Sequence, residues 1–333
     1  MAEAQQQQAR EIPYVVAITE GVREALLEHP ESFAAGEDVG QAGGVYGYYN
    51  GLQKEFGEDR VYDTPISEAG IVGLGVGAAA TGCRPIIDLM FMDFLGECMD
   101  EVANQLAKMR YMFGGHATLP VTMLTMAGAG ASLAAQHSQS LEAWLCHLPG
   151  LKLCMPSTPY DAKGMIICAA RDDNPVIVVL NKVSLAMMGD VPEGSYAIPL
   201  GEANIVRPGD NFTLIAMGRM VHEALAAAEQ LKDVGINAEV IDPRTVLPLD
   251  LPTIIESVKK THRVMIVHEA VRNGGIGGEI AAQIQEEAFD YLDAPVGRVG
   301  APFSPVPFSP ALESAYVPNA EKITQEAKKL LGV

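Results

Sequence analysis

Glu68 has the most chemistry to offer. It stands in the run 63–82, DTPISEAGIVGLGVGAAATG, as a lone carboxylate among Ile66, Ala69, Gly70 and Ile71. Apolar surroundings strip water from the charged form of a carboxyl group, so the pKa of Glu68 is expected to rise. Behind it Gly73, Gly77 and Ala80 or Thr81 recur at intervals of three or four, along one face of an expected helix. Residues this small let a second helix backbone approach closely. Two readings follow. Either the stretch is a tight helix crossing with a solvated Glu at its start, or Glu68 is held at a subunit seam to exchange a proton with a ligand.

His137, in AAQHSQS (134–140), is the second candidate. An apolar helical run follows it, with Ser138 or Ser140 as the expected cap. A helix N-terminus disfavours imidazolium, so a neutral ring near pH 7 is expected. A structural loop histidine is the plainer alternative. The other six histidines have no such setting, and His262 and His268, flanking a strand, suit structural roles.

Two glycine clusters imitate phosphate loops. Gly73-Leu-Gly75-Val-Gly77 has Asp88 and Asp93 downstream, but the residues before it, Asp63 to Glu68, cannot form the buried strand a dinucleotide site requires. Gly274-Gly275-Ile-Gly277-Gly278 does follow a strand and open a helix. It is read as a structural turn, with anion binding at the helix N-terminus as the alternative.

The elements that must position these residues are α/β. Apolar runs at 120–126, 151–155 and 175–181 read as buried strands, with a helix after Thr158 that this residue caps, Pro159 opening it and Asp161 three residues beyond the cap. Helices are also expected over 14–29, after Ser67 and over 95–112, while 33–61, rich in Gly, Tyr and Asn, reads as irregular. After a Gly- and Pro-rich stretch the alternation restarts: strand 212–217, helix 220–234, strand 238–241, helix 252–260, strand 263–268, helix 277–291, and a last strand and helix within 295–331. Continuous apolar strands alternating with helices indicate parallel sheets covered on both faces. The expected division is a first domain at 1–190, a linker at 191–210 and a second domain at 211–333.

Composition narrows the class. Net charge is −19, which argues against a nucleic-acid partner. The five cysteines (Cys83, Cys98, Cys146, Cys154, Cys168) include no Cys-x-x-Cys pair and mostly sit in apolar runs, a pattern of reduced thiols rather than a disulfide frame or zinc site. The apolar stretch from Ala69 to Cys83 is too short to span a bilayer, which takes roughly 18 residues. The first residues, MAEAQQQQAREI, lack the apolar core of a secretion signal. A soluble, cytoplasmic protein is expected.

Glu68, Gly73-Leu74 and Gly77-Ala78 together resemble the pattern of pyrimidine-binding domains in thiamine-diphosphate enzymes. GEDVG (36–40), LAAQHSQ (133–139), PGLKLCMPSTPYDAKG (149–164), RDDNPV (171–176) and DPRTVLPLD (242–250) resemble the β chains of 2-oxo acid and acetoin dehydrogenase complexes, a likeness running from about 12 to 331. The resemblance implies an N-terminal pyrimidine-binding domain and a C-terminal transketolase-like domain. It also implies that Glu68 hydrogen-bonds a ring nitrogen of the cofactor's aminopyrimidine, favouring the imino tautomer that deprotonates the thiazolium carbon. Ile66 and Phe94 (in MFMDFLG, 90–96) would contact the cofactor, although core packing suits Phe94 nearly as well. His137 would transfer a proton or orient the reacting substrate and the lipoyl acceptor. Asp172 and Asn174 match positions that hold a structural potassium ion in some relatives, though Asp-Asp-Asn-Pro is equally a good turn.

The Gly-Asp-Gly motif that binds Mg²⁺ and the cofactor diphosphate in such enzymes is missing; Pro208-Gly209-Asp210-Asn211 is the nearest approach. The resemblance therefore implies an α subunit that supplies the diphosphate half, in an α2β2 heterotetramer, and docking to a lipoyl acyltransferase core. Residues 90–115 resemble acetoin dehydrogenase chains most, which makes acetoin the expected substrate and pyruvate or another 2-oxo acid the alternative. Asn181-Lys-Val-Ser-Leu185 departs from the acidic and aromatic residues common there.

Overall fold

A computed structural model describes residues 9–333; the polar run at 1–8 lies outside the described residues. The first part of the chain runs β1 (Ala9–Pro13), α1 (Tyr14–Glu28), β2 (Ser32–Gly36), α2 (Leu52–Phe56), β3 (Val61–Asp63), α3 (Glu68–Ala80), β4 (Arg84–Phe91), α4 (Leu95–Asp100), α5 (Met109–Met112), β5 (Thr122–Ala127), α6 (Glu142–Cys146), β6 (Lys152–Cys154), α7 (Pro159–Arg171), β7 (Val176–Asn181) and β8 (Met188–Pro192). The second part runs β9 (Asn204–Arg207), β10 (Phe212–Ala216), α8 (Met220–Lys232), β11 (Ala238–Asp242), β12 (Thr245–Leu247), α9 (Leu251–Thr261), β13 (Val264–Val271), α10 (Gly277–Ala288), β14 (Gly297–Ala301), α11 (Pro310–Tyr316) and α12 (Ala320–Leu331).

Seven strands form one sheet in the order β12-β6-β7-β5-β4-β2-β3, parallel except for β12. Five form a second sheet, β14-β13-β10-β11-β9, parallel except for β9. A two-stranded antiparallel ribbon pairs β1 with β8. The central strands carry apolar residues on both faces because helices cover both: every residue of β5, β10 and β11 is buried. The start of α7 follows the sequence signal, with the Thr158 hydroxyl accepting from the Asp161 N–H at 3.1 Å. Gly21 lets α1 approach α7, since a Cβ there would lie 3.1 Å from Ile166 Cβ.

Several elements differ from expectation. The segment 33–61 holds β2, α2 and β3 rather than irregular chain alone. The helix expected over 95–112 breaks into α4, a π-helical turn at Glu101–Leu106, and α5. Strand β9 lies inside the expected linker and forms an edge of the second sheet. Strand β12, well past the linker, crosses back to pair with β6 of the first sheet. Both are short edge strands whose pairing is decided by distant chain, so local pattern carries little trace of them. The two domains also share one apolar cluster, with Ile71, Leu95 and Val102 joined to Val246, Ile254, Ile276 and Ile280. All five cysteines are free, Cys98 and Cys154 fully buried. No helix among the described residues is long and apolar enough to cross a membrane.

Candidate functional site

The carboxyl ends of the first sheet's parallel strands gather the chemistry. After β3 ends at Asp63, four residues lead into α3, whose first residue is Glu68. A carboxylate there complements the positive end of the helix dipole. Its side chain is half-buried, and Ile66 beside it is 82% exposed. The apolar seal around Glu68 that the sequence suggests is therefore not made by this chain. Glu37 stands near: burial first, then the charges of Glu68, Asp38 and Asp88, push its carboxyl above the usual range.

The glycines of α3 divide by face. A Cβ at Gly75 would meet Ile87 at 3.1 Å, so this residue serves internal packing. A Cβ at Gly73 or Gly77 would meet nothing within 4 Å, and both residues are exposed, as is Leu74. The face with small residues is thus a real surface, open in this chain. The same residues, being helical, form no dinucleotide loop. The second glycine cluster packs on a histidine: a Cβ at Gly275 or Gly277 would come within 2.7 Å of the His268 ring, whose pKa burial pushes down to about 4. That fits the structural-turn reading.

An aromatic wall rises beside α3 where β4 ends. The His137 ring stands edge-on to Phe91 (centroids 4.8 Å, 89°) and to Phe94 (5.5 Å, 80°), and Tyr46 meets Phe91 at 5.9 Å. Asp93 fastens the histidine loop, its Oδ1 accepting from the Gln139 N–H at 3.1 Å and from Nε2 at 2.9 Å. Thus His137 and Phe94 come together, with Glu68 on the same sheet edge. The expected cap is not realised. The following helix, α6, begins at Glu142 after Leu141, spans five residues and has no side-chain cap, so neither Ser138 nor Ser140 fills that role. The helix-dipole argument for a neutral His137 falls with it; aromatic edges surround the ring instead.

Asp172 and Asn174 lie at the opposite, amino end of the sheet. Asp172 Oδ1 accepts from the Asn174 N–H and Nδ2, both at 2.9 Å, while Oδ2 is ion-paired with Lys152. Arg110 donates to Asn174 Oδ1 at 2.6 Å. Burial works to raise the Asp172 pKa, but Lys152 and the Asn174 donors hold it below the usual value. Lys152 and Arg110 thus engage Asp172 Oδ2 and Asn174 Oδ1, and the remaining Asp172 oxygen closes a turn on Asn174. Asp210 and Asn211 are likewise spent on Asn237, which donates to Asp210 Oδ1 at 3.1 Å and to Asn211 Oδ1 at 2.9 Å. Among the described residues no cluster of three or more His, Cys, Asp or Glu could hold a metal.

Sequence reasoning missed several groups of this site. Lys182 follows β7, is 5% exposed, and sets its ammonium 5.4 Å from the centre of the Phe91 ring. Burial pushes its pKa down to about 8, against the attraction of Asp93, Glu269 and Glu313. A lone lysine in the apolar run VVLNKVSL was the available signal. Asp88, 5% exposed beneath the site, has its carboxyl pushed up to about 6 by burial, and Tyr48 donates to it at 2.6 Å.

Known proteins resemble this chain along nearly its whole length. The model of the transketolase pyrimidine-binding domain matches residues 10–187, and that of the transketolase C-terminal domain matches 201–323. The acetoin:2,6-dichlorophenolindophenol oxidoreductase subunit beta of Bacillus subtilis is 49% identical, covering 97% of this chain and 98% of the relative. Its counterpart in Cupriavidus necator is 47% identical, over 97% and 98%. The pyruvate dehydrogenase E1 component subunit beta of Bacillus subtilis is 46% identical, over 95% and 98%. In fold, the chain superposes on a split-gene transketolase, described as an inactive beta4 tetramer, with TM-score 0.79 at 23% identity over 96% of this chain and 99% of the other.

Proposed function

The chain belongs to the transketolase-type family that contains the β subunits of acetoin oxidoreductases and of pyruvate dehydrogenase E1 components, and on that premise we propose that it is the β subunit of a thiamine-diphosphate-dependent acetoin dehydrogenase component. The supporting observation is a half-buried carboxylate at the first position of α3, continuous with a helix face of exposed glycines and flanked by an aromatic wall. Such a surface fits a flat heterocycle bound at a junction with a second chain. It does not fit a diphosphate and its Mg²⁺, which fall to an α partner in an α2β2 assembly.

Thiamine diphosphate, when bound, supplies a carbon nucleophile that adds to a substrate carbonyl. This chain's share is to hold and protonate. Glu68 would hydrogen-bond the aminopyrimidine and hold its tautomer, while Phe94 and Ile66 would pack against the ring. His137, steadied by Phe91, Phe94 and the Asp93–Gln139 bonds, orients the substrate oxygen and moves its proton. Acetoin would be cleaved with release of acetaldehyde, and the remaining two-carbon unit would open the disulfide of lipoamide on an acyltransferase core. The S–S bond would take the two electrons, so that one sulfur carries the acetyl group as a thioester and the other is left as a thiol. The net charge of −19 suits a basic docking module on that core, with salt-sensitive association. The cytoplasm is the proposed compartment. A second reading, with pyruvate or another 2-oxo acid as substrate, is favoured by the 46% identity to a pyruvate dehydrogenase β subunit.

The test reconstitutes both chains with thiamine diphosphate and Mg²⁺ and follows reduction of an artificial acceptor with acetoin or 2-oxo acids. Glu68→Gln should lower turnover at least about 100-fold without changing the melting temperature. Turnover like that of the wild type in this variant defeats the reading, and a preference for 2-oxo acids exchanges the two substrates.

A further inference from the structure

The loop that carries His137 leaves β5 in a conformation that backbone sterics disfavour. Gly128 and Gly130 have φ of +93° and +107°, and Ser132 and Ala134, which carry Cβ atoms, have φ of +53° and +61°. Left alone, such a segment relaxes toward ordinary backbone. Two carboxylates oppose this, and both come from the C-terminal domain. Glu269 of β13 accepts from the Ala129 N–H at 2.6 Å and from Asn181 Nδ2 at 3.0 Å. Glu313 of α11, 2% exposed, accepts from the Gly130 N–H at 2.7 Å, the Ser132 N–H at 2.9 Å and the Ser132 hydroxyl at 3.3 Å.

We propose that Glu269 and Glu313 are positioning residues for the proposed reaction, a clamp through which the C-terminal domain fixes the pose of His137. Charge-assisted bonds to backbone N–H groups are the strong kind, and a carboxylate with two acceptor oxygens suits successive loop amides. The glycine at 128 is part of the design: a Cβ there would lie 2.9 Å from Glu269 Oε1 and 2.5 Å from Asn181 Nδ2. Lys182 and Arg219 supply the balancing positive charge. The far end of the loop is tied separately, by Asp93 to Gln139. His137 is thus suspended between an anchor in each domain.

This inference rests on the reading of His137 as a site residue, and the test separates the two. In the reconstituted enzyme, Glu313→Ala should speed amide exchange of a peptide covering 128–140 by about tenfold or more, with the core of β5 unchanged. It should lower kcat about tenfold or more while leaving KM within about threefold. Glu313→Gln keeps one acceptor and should fall between the variant and the wild type. Should Glu313→Ala fail to assemble, Glu269→Gln, at a less buried position, carries the same expectations. Unchanged exchange in the loop overturns the clamp, and so does a purely proportional loss of folded protein at constant kcat. A wild-type complex without turnover on acetoin or 2-oxo acids overturns the functional reading, and exchange alone then decides the clamp.

Discussion

Lys182→Met should stabilise the protein, and by an amount that depends on pH. The Lys182 ammonium is 5% exposed and has no hydrogen-bond partner among the described residues. Asp93 after β4, Glu269 on β13 and Glu313 on α11 attract it, yet desolvation wins, and its pKa falls from 10.5 to about 8. Above pH 10.5 neither the folded nor the unfolded chain holds the proton, and the lysine costs nothing. As pH falls from there to about 8 the unfolded chain takes up the proton first, so folded stability drains away. Below about 8 both states are charged and the penalty is constant. The gap, at about 1.4 kcal/mol per pH unit, corresponds to about 3 kcal/mol. Methionine has similar length, carries no charge and keeps a favourable contact with the Phe91 ring. Thermal melts of both proteins at about pH 7.5, 8.5 and 9.5 should therefore show the variant ahead by roughly 5 °C at the lowest value, with the lead shrinking as pH rises. A variant that melts lower by the same margin at all three values would mean that a direct ion pair holds the ammonium, and the desolvation argument would be wrong.

Two other substitutions test the remainder of the site. Gly77→Leu, where a Cβ meets nothing within 4 Å, should raise the melting temperature of the isolated chain by about 1–3 °C, because it relieves the roughly 1 kcal/mol cost of a glycine inside a helix, yet abolish co-elution with the α partner on size exclusion. Tyr48→Phe removes the 2.6 Å bond to Asp88. It should cost about 1–2 kcal/mol in chemical denaturation at neutral pH, where the carboxyl is ionised, and less at pH 5, below the Asp88 pKa of about 6.

Legibility in the sequence tracked how local each determinant is. The start of α7 was readable because Thr158, Pro159 and Asp161 settle it within one turn. The buried strands β5, β7, β10 and β11 were readable because helices on both faces force unbroken apolar runs. Strand β12 was not, since three residues pair with β6 only after the chain has passed through β9, β10, α8 and β11 of the second domain. Glu68 stood out as a charge among glycines and aliphatic residues. The setting of His137 was misread, because a serine before an apolar run imitates a cap, whereas Phe91 and Phe94 are distant in sequence and declare nothing locally. The Glu269 and Glu313 contacts join residues 88 to 183 positions apart, and no pattern in one strand or helix could announce them.

The cost of the α3 glycines argues most directly that the site is shared. Glycine in a helix interior is less favourable than alanine by about 1 kcal/mol. At Gly75 that cost has an internal return, because Ile87 fills the space a side chain would need. At Gly73 and Gly77 it has none within this chain, where an alanine would touch nothing within 4 Å. About 2 kcal/mol of helix stability is therefore given up for a face that only another backbone, crossing close, can use. The same crossing would cover Gly70, Ile66 and the mouth of the loop before Glu68, withdrawing from water a carboxylate that stands half-exposed in the single chain. On the proposed function, assembly and activation are one event: the contact that repays the missing side chains would also supply the dry surroundings in which Glu68 can grip a heterocycle, so the chain by itself should be folded and inert.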